Sequence, residues 1–530
     1  MSKLKDLERL LAQGKITRRD FLAQASALGV IAGAPAIFSN QALAATPNKG
    51  GKFTAGIGHG STTDSLDPGT YENDFMINSS FTRFNFLTEI SNTGELAGEL
   101  AESWEASADA KTWTIKLRQG VEFHNGKAMT ADDVVASINH HRGEDSGSAA
   151  KPIVDPIEEI KADGNNVVVT LSGGNADFPY LMSDYHLPIM QAKDGGVDWE
   201  SGIGTGPYAM QSYDPGVRMI FKRNANYFKP DRAHFDEVEM ITIADVAART
   251  NALATGEIHM MDRVDIKTMH LLERNKSVKI EETSGNGHYS IPMRTTLEPF
   301  TDNNIRLALK YALDREALLE TILRGHGYIG NDHPIGKANR YFAADLPQKS
   351  YDPDKSKFYL KEAGLSELSV DLSAADAAFG GAVDAAVLFK EHAAKAGITI
   401  NVVREPNDGY WSNVWNTDNR GWCMCYWGGR PTEDWMFSTA YASGAEWNDS
   451  SWEHEEFNKL LVAARAELDE AKRRDRYVEM QRLVSDEGGV MVPVFNNYIF
   501  ATSDKVAHDE QMANNWSDDG HKWAERWWFA

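Results

Sequence analysis

Trp113-Thr114-Ile115-Lys116-Leu117, then Gly120-Val121-Glu122-Phe123-His124-Asn125-Gly126, then Thr130-Ala131-Asp132-Asp133-Val134 follow one another closely along the chain. In the first run apolar and polar residues alternate, the period of a strand with one buried face. The second is short and ends at Asn-Gly, a pair suited to a tight turn. The third opens a helix. Thr130 stands at its cap, and Asp132 and Asp133 fall in the first turn, where the helix dipole favours negative charge. Two adjacent carboxylates also suit acid/base chemistry, but helix-start placement explains this pair more simply.

Upstream, residues 52–57 read as a first strand leading into Gly58-His59-Gly60-Ser61-Thr62, the start of a loop that runs to Pro68. The glycines are not a phosphate loop, because no Gly-Lys-Ser/Thr follows; they allow a turn or a close approach of backbone to a partner. A helix is expected over 73–87. Downstream, Gly204-Thr205-Gly206-Pro207-Tyr208 precedes two strands joined at Tyr213-Asp214-Pro215-Gly216. Helices are expected at 247–258, ending on Gly256, and after Asp302 and Asp314. Strands at 368–373 and 398–403 flank a helix near 380–396, which makes the second half α/β. A charged helical stretch covers 453–486, and residues 489–495 read as a buried strand.

The first 44 residues read differently. Arg18-Arg19 precedes an apolar stretch rich in Ala and Gly, and Ala42-Leu43-Ala44 follows it. That order is a secretory leader, too short and too polar to remain as a membrane span. With Phe21 and Leu22 after the arginine pair, it resembles a twin-arginine (Tat) signal, used to export folded proteins. The expected site of action is outside the cytoplasm. The whole chain carries a net charge of −23; without the basic leader the remainder carries about −26 over roughly 490 residues, enough for two or three subdomains. So acidic a surface repels nucleic acid and anionic lipid. The 42% hydrophobic content excludes general disorder. Cys423 and Cys425, the two cysteines present, would share one face of a strand but sit too far apart, at the strand's fixed rise, for an unstrained disulfide. They read as plain thiols in a core or cleft, or as a C-x-C metal site with no histidine nearby.

Leu100-Ala101-Glu102-Ser103-Trp104-Glu105 joined to the three opening runs resembles one continuous signature, that of the bacterial extracellular solute-binding proteins of family 5. Gly204 to Tyr208, Asn226-Tyr227-Phe228, Arg306 through Arg315 and Tyr351-Asp352-Pro353-Asp354-Lys355 match further blocks. The resemblance spans essentially the whole chain after the leader. It implies a cluster C, type II periplasmic-binding-protein fold of two lobes and a hinge. Lobe I is expected from residues 45–89, 203–290 and 500–530, an extra subdomain of that lobe from 90–202, and lobe II from 291–499. It also implies a periplasmic monomer that serves a peptide/opine/nickel-type ABC importer, closes on its ligand and docks on inner-membrane permease subunits, with no cofactor and no catalytic residue.

Asn419 to Pro431 is the segment that the resemblance places along the cleft. Trp422, Tyr426 and Trp427 suit stacking on a flat or apolar ligand face, and Arg430 suits a carboxylate or phosphate. Strand alternation sends about half of such aromatics into a core instead. In peptide-binding members the motif reads Gly-Trp-x-x-Asp, the carboxylate pairing with the peptide ammonium. Here Cys425, a neutral thiol, is read at that place, which puts free-amine peptides in doubt unless Glu433, Asp434, Glu405 or Asp408 supplies the charge. Cys425→Asp is then expected to improve binding of a free-amine dipeptide. Gly58, His59, Gly60, Ser61 and Thr62 are expected from the other lobe, while Tyr410 and Trp411 either close over the cleft or form an apolar helix face. Oligosaccharides, opines and metal chelates remain alternative ligands. A secreted hydrolase is the third reading, although His454-Glu455-Glu456-Phe457-Asn458 lacks the second histidine of a zinc protease and no G-x-S-x-G elbow occurs.

Overall fold

A computed structural model describes residues 47–407 and 409–530; the leader and Asp408 lie outside the described residues. Strand β1 (Lys52–Ile57) is buried beyond Lys52. Helix α1 (Asp74–Arg83) starts where Asn73 accepts a hydrogen bond from the Met76 N–H. It stops at Arg83, short of the expected 87, because Phe84 turns to extended backbone. Gly204 and Gly206 press on that corner: a Cβ on either would collide with the Arg83 backbone. Strands β2 (Ala101–Ala106), β3 (Thr112–Leu117), β4 (Ile157–Asp163) and β5 (Asn166–Leu171) form an antiparallel sheet in the order β2-β3-β5-β4. Helix α2 (Ala131–His140) packs on it. The Asp133 carboxylate accepts from the Thr130 N–H (2.8 Å) and hydroxyl (2.8 Å), the Lys127 ammonium (2.7 Å) and the Ala192 N–H (2.8 Å). Asp133 is therefore a structural anchor. This sheet and helix enclose their own core of Trp113, Ile115, Leu117, Val134 and Ile138.

The chain then returns to β1. Strands β6 (Tyr208–Asp214) and β7 (Arg218–Arg223) form a hairpin, β7 pairs with β8 (Glu237–Thr242), and β8 runs parallel to β1. Helix α3 (Val246–Thr255) ends on Gly256, whose φ of 79° is the left-handed cap that glycine supplies. Strand β9 (Met260–Met261) flanks β1 on its other side. The core here includes Phe53, Phe75, Phe235, Trp523 and Trp527, so the C-terminal segment completes the lobe in which the described chain begins.

Strand β10 (Val278–Pro292) leaves this lobe for the second. There α4 (Asn303–Tyr311) and α5 (Arg315–Ile322) are capped by Asp302 and Asp314, as the sequence predicts. After β11 (Gly327–Ile329) and α6 (Pro353–Glu362), parallel strands β12 (Leu368–Ala374) and β13 (Ile398–Arg404) sandwich α7 (Ala382–Ala394) in sequence. Strand β14 (Cys425–Trp427) lies against β10. Helices α8 (Glu433–Ala440), α9 (Glu455–Arg465) and α10 (Glu470–Glu487) follow. The stretch expected as one helix is thus two, because Asp469 caps α10 by accepting from the Ala471 and Lys472 N–H groups. The chain recrosses on β15 (Val490–Ser503), twice the expected length.

β10 and β15 pair antiparallel through both lobes. They join strands of both lobes into one sheet, β6-β7-β8-β1-β9-β15-β10-β14, with β11 also on β15, while β2 to β5 and the β12–β13 pair remain separate sheets. Their register breaks between Ser284 and His288, at Gly285-Asn286-Gly287. A Cβ on Gly285 would collide with the Tyr498 ring. This crossing is the hinge. Away from it the lobes touch again: Asp177, beside the β2–β5 subdomain, meets Arg473 of α10 at 2.5 Å, and the Ala176 N–H donates to the Arg465 carbonyl (2.7 Å).

Candidate functional site

β14 is antiparallel to β10, with Ser290 opposite Cys425, Tyr289 opposite Tyr426 and His288 opposite Trp427. Going from Cys425 to Trp427 therefore runs from the body of lobe II toward the hinge. The turn Gly428-Gly429 reaches the crossing itself, since a Cβ on Gly429 would collide with Asn286. Arg430 comes next, at the mouth between the lobes. Its Nη1 donates to the carbonyls of Gly428 (3.0 Å) and Gly429 (3.4 Å), and its guanidinium lies 5.9 Å from the Trp427 ring and 6.0 Å from that of Trp435. Burial lowers its pKa, and the charges it senses are Tyr185, Asp184 and Tyr498. Those groups come from the far lobe and from the hinge strand β15.

In the first lobe, Tyr185 is one of the groups that Arg430 senses, and its ring meets Trp516 edge-on at 5.7 Å. Burial pushes the Tyr185 hydroxyl pKa up, and that of Tyr498 to about 12. Asp184 is already engaged: its Oδ1 accepts from the His186 N–H (2.9 Å) and lies 2.7 Å from His186 Nδ1. Asp74, also sensed by both tyrosines, accepts from Arg263 Nε at 2.7 Å. His59 Nδ1 lies 3.6 Å from Asp74, and burial lowers its pKa.

The other residues singled out in the sequence divide. Gly58 donates its N–H to Asp262 (2.8 Å), and Gly60, with φ of 133°, lies against Thr242 where no side chain fits. Ser61 donates its N–H to Asp64 and shares a hydroxyl contact with Thr63, while Thr62 packs on the β6–β7 turn at Gly216. Of this loop, His59 stands beside Asp74, and Ser61 and Thr62 are held within the loop and its neighbouring turn. Tyr410 is core, its hydroxyl donating to the Met424 carbonyl at 2.6 Å. Trp422 is also core, packed edge-on against Phe389. Trp411 and Tyr426 are 40% and 49% exposed and meet edge-on at 5.7 Å, an open aromatic face.

Cys425 does not face the mouth. It is 1% exposed, points into the core with Trp427, and its Sγ lies 3.9 Å from Asp449. Burial and the Asp449 charge raise its thiol pKa. Asp449 in turn accepts from the indole N–H of Trp415 (3.0 Å) and of Trp427 (3.1 Å), and burial raises its pKa to about 6. Strand alternation is the reason: Cys425 and Trp427 share the inner face, and Tyr426 takes the other. The expected gain from Cys425→Asp is accordingly overturned. That change now places a second carboxylate beside buried Asp449, with an expected loss of about 3 kcal/mol or more in stability. A denaturation midpoint equal to the parent's would refute this.

Sequence reasoning missed Tyr185, Tyr498, Asn286 and Asp449. Asp449 meets Trp415 and Trp427, and Asn286 meets Gly429, only through long-range folding, and Tyr185 and Tyr498 enter the surroundings of Arg430 in the same way. The sole local trace was the Gly285-Asn286-Gly287 triplet inside a strand pattern, a mark of close backbone approach.

Residues 95–449 match the model of the bacterial extracellular solute-binding proteins, family 5 Middle. The chain is 26% identical over 449 residues to the dipeptide-binding protein of Escherichia coli K12, covering 78% of this chain and 84% of that protein. Among solved structures it is similar to HbpA2 from Haemophilus parasuis, with a TM-score of 0.77 at 20% identity, covering 86% of this chain and 96% of that one. It is also similar to AgaA of Agrobacterium tumefaciens R10 in complex with agropinic acid, with a TM-score of 0.71 at 22% identity, covering 91% and 99%. A two-lobed α/β fold joined by a sheet hinge, together with a family match over most of the chain, leads to one conclusion: this chain belongs to the bacterial extracellular solute-binding proteins of family 5.

Proposed function

We propose that this chain is the receptor of an ABC importer, capturing a peptide-like solute between its lobes and presenting the closed form to membrane permease subunits. The observation that carries this reading is the crossing of β10 and β15, which joins two separately cored lobes, with the Gly428-Gly429 turn before Arg430 packed against the crossing at Asn286. Closure is favoured only by the extra contacts that a ligand makes with both lobes at once. The proposed ligand-facing set is Arg430, Tyr185, Tyr498 and His59, with the open aromatic face of Trp411 and Tyr426 beside it. The same reading assigns residues 1–44 as a Tat leader, the mature chain to the periplasm as a monomer, and no bond-making role to the cleft. Among the described residues no helix is long and apolar enough to cross a membrane.

Mass spectrometry of whatever co-purifies with the protein, followed by thermal-shift titration with the compound found, tests the reading. A small solute released unchanged and raising the melting temperature on return supports it. Turnover of that solute by the purified protein would sink it.

A further inference from the structure

The guanidinium of Arg430 has no direct ion-pair partner among the described residues. Arg430 Nη1 is committed to two backbone carbonyls, whereas Nε and Nη2 make no hydrogen bond to any described residue. Nε and Nη2 form one edge of the planar guanidinium, the edge that grips two oxygens of one carboxylate through parallel hydrogen bonds. Of the acids nearby, Asp184 hydrogen-bonds His186 and Asp74 pairs with Arg263, and neither forms an ion pair with Arg430. Tyr185 of the opposite lobe and Tyr498 of the hinge strand belong to the electrostatic surroundings of the same guanidinium, and the Tyr498 hydroxyl is held by the Asn286 backbone. Closing the lobes around this arginine removes water from a cation with no direct ion-pair partner among the described residues, which costs several kcal/mol unless the ligand supplies one.

We infer that the solute presents a carboxylate to the Nε–Nη2 edge of Arg430, beside the Gly428-Gly429 turn at the crossing, and that no ligand ammonium sits there. The inference rests on the receptor reading above and names its ligand class: carboxylated, peptide-like solutes whose amine is blocked or directed elsewhere. A free ammonium at this place would meet a guanidinium head-on. The anionic group also acts as the closing element, because it converts the unfavourable burial of Arg430 into a paired one.

The test uses the full mature protein, freed of bound solute by unfolding and refolding. Two probes are titrated by tryptophan fluorescence: N-acetyl-alanyl-alanine, which has a carboxylate and no ammonium, and alanyl-alanine amide, which has the reverse. The acid is expected to bind and the amide not to. Arg430→Gln is expected to weaken the acid by about 10- to 100-fold, and Arg430→Lys to recover part of that, since an ammonium cannot fork. Gly429→Ala keeps the charge but moves the turn off Asn286, and should weaken the acid as well. The co-purified solute is identified in parallel, and it decides the case if neither probe fits: a carboxylated compound supports the inference, and a cation without a carboxylate overturns it. Preference for the amide, or equal binding of the acid by the parent and folded Arg430→Gln, overturns it while leaving the receptor standing. No bound solute and no binding of either probe overturns both.

Discussion

Replacing Lys522 by Met is expected to destabilise the first lobe by about 3–5 kcal/mol, the cost of leaving a buried charge without its partner. The Lys522 ammonium lies 2.5 Å from Glu89 and 2.6 Å from Glu99, and the Lys229 ammonium lies 2.9 Å from Glu89, 2.7 Å from Glu99 and 2.8 Å from Glu525. Arg526 adds the third positive charge, held by Asp519 at 3.0 Å and the Ile90 carbonyl at 2.6 Å. Glu89, Glu99 and Glu525 converge closely enough to ligate a metal, and two ammoniums fill that role. Methionine preserves most of the volume, so the loss is electrostatic. Lys522→Met combined with Glu525→Gln restores the charge balance and is expected to recover part of the stability. Urea midpoints of the two variants decide it; equal midpoints for Lys522→Met and the parent would refute the argument. The lysines hold the Glu89 and Glu525 carboxyl pKa values well below the usual carboxylate range. Their contribution is therefore complete above about pH 4.5 and lost only as pH falls toward those depressed values. The C-terminal segment should stay docked through mild acid.

Arg473→Leu is expected to open the protein rather than unfold it. Asp177 and Arg473 are 4% and 3% exposed, and the guanidinium also lies 5.6 Å from the rings of Tyr341 and Tyr477. The pair joins the subdomain to α10, so its partners part when the lobes separate. Without the arginine, Asp177 is stranded in the closed form but regains water in the open one. A penalty of about 3 kcal/mol on closure alone corresponds to roughly 100-fold weaker ligand retention. Small-angle scattering should show a larger radius of gyration, and the co-purified solute should be lost. Asp177→Asn in the same chain removes the stranded charge and should restore part of the closure. A single variant that scatters and retains solute like the parent would dispose of this role.

Much of the framework was legible because its causes are local. Asp302 and Asp314 cap helices four residues or fewer away, Gly256 ends another, and Thr130 with Asp133 fixes the start of α2; each argument needs only its neighbours in sequence. The motif blocks pointed to the family for the same reason, since they are contiguous. The break at Asp469 was missed because charged residues on both sides suit one long helix equally well, and only packing of α9 on α10 requires the reversal. The continuation of β15 to Ser503 was hidden by Asn496-Asn497-Tyr498, polar residues that interrupt a buried pattern because they lie at the crossing. The site was harder. Arg430 could be picked out beside a Gly-Gly turn, but the inward direction of Cys425 depends on which edge β14 offers to β10. Tyr185 and Tyr498 approach Arg430 from segments far away in sequence, and no periodicity encodes that meeting.

The position of the two thiols has a practical consequence. Cys423 and Cys425 are both buried, and burial raises both pKa values, so neither presents a thiolate to solvent at neutral pH. The native chain is accordingly silent toward maleimides. A pair of dyes on cysteines introduced at exposed sites of the two lobes, such as Val217 and Val462, could be attached without first deleting the native ones. Energy transfer between them would then follow single molecules opening and closing, on a protein whose core and cleft are left as they are.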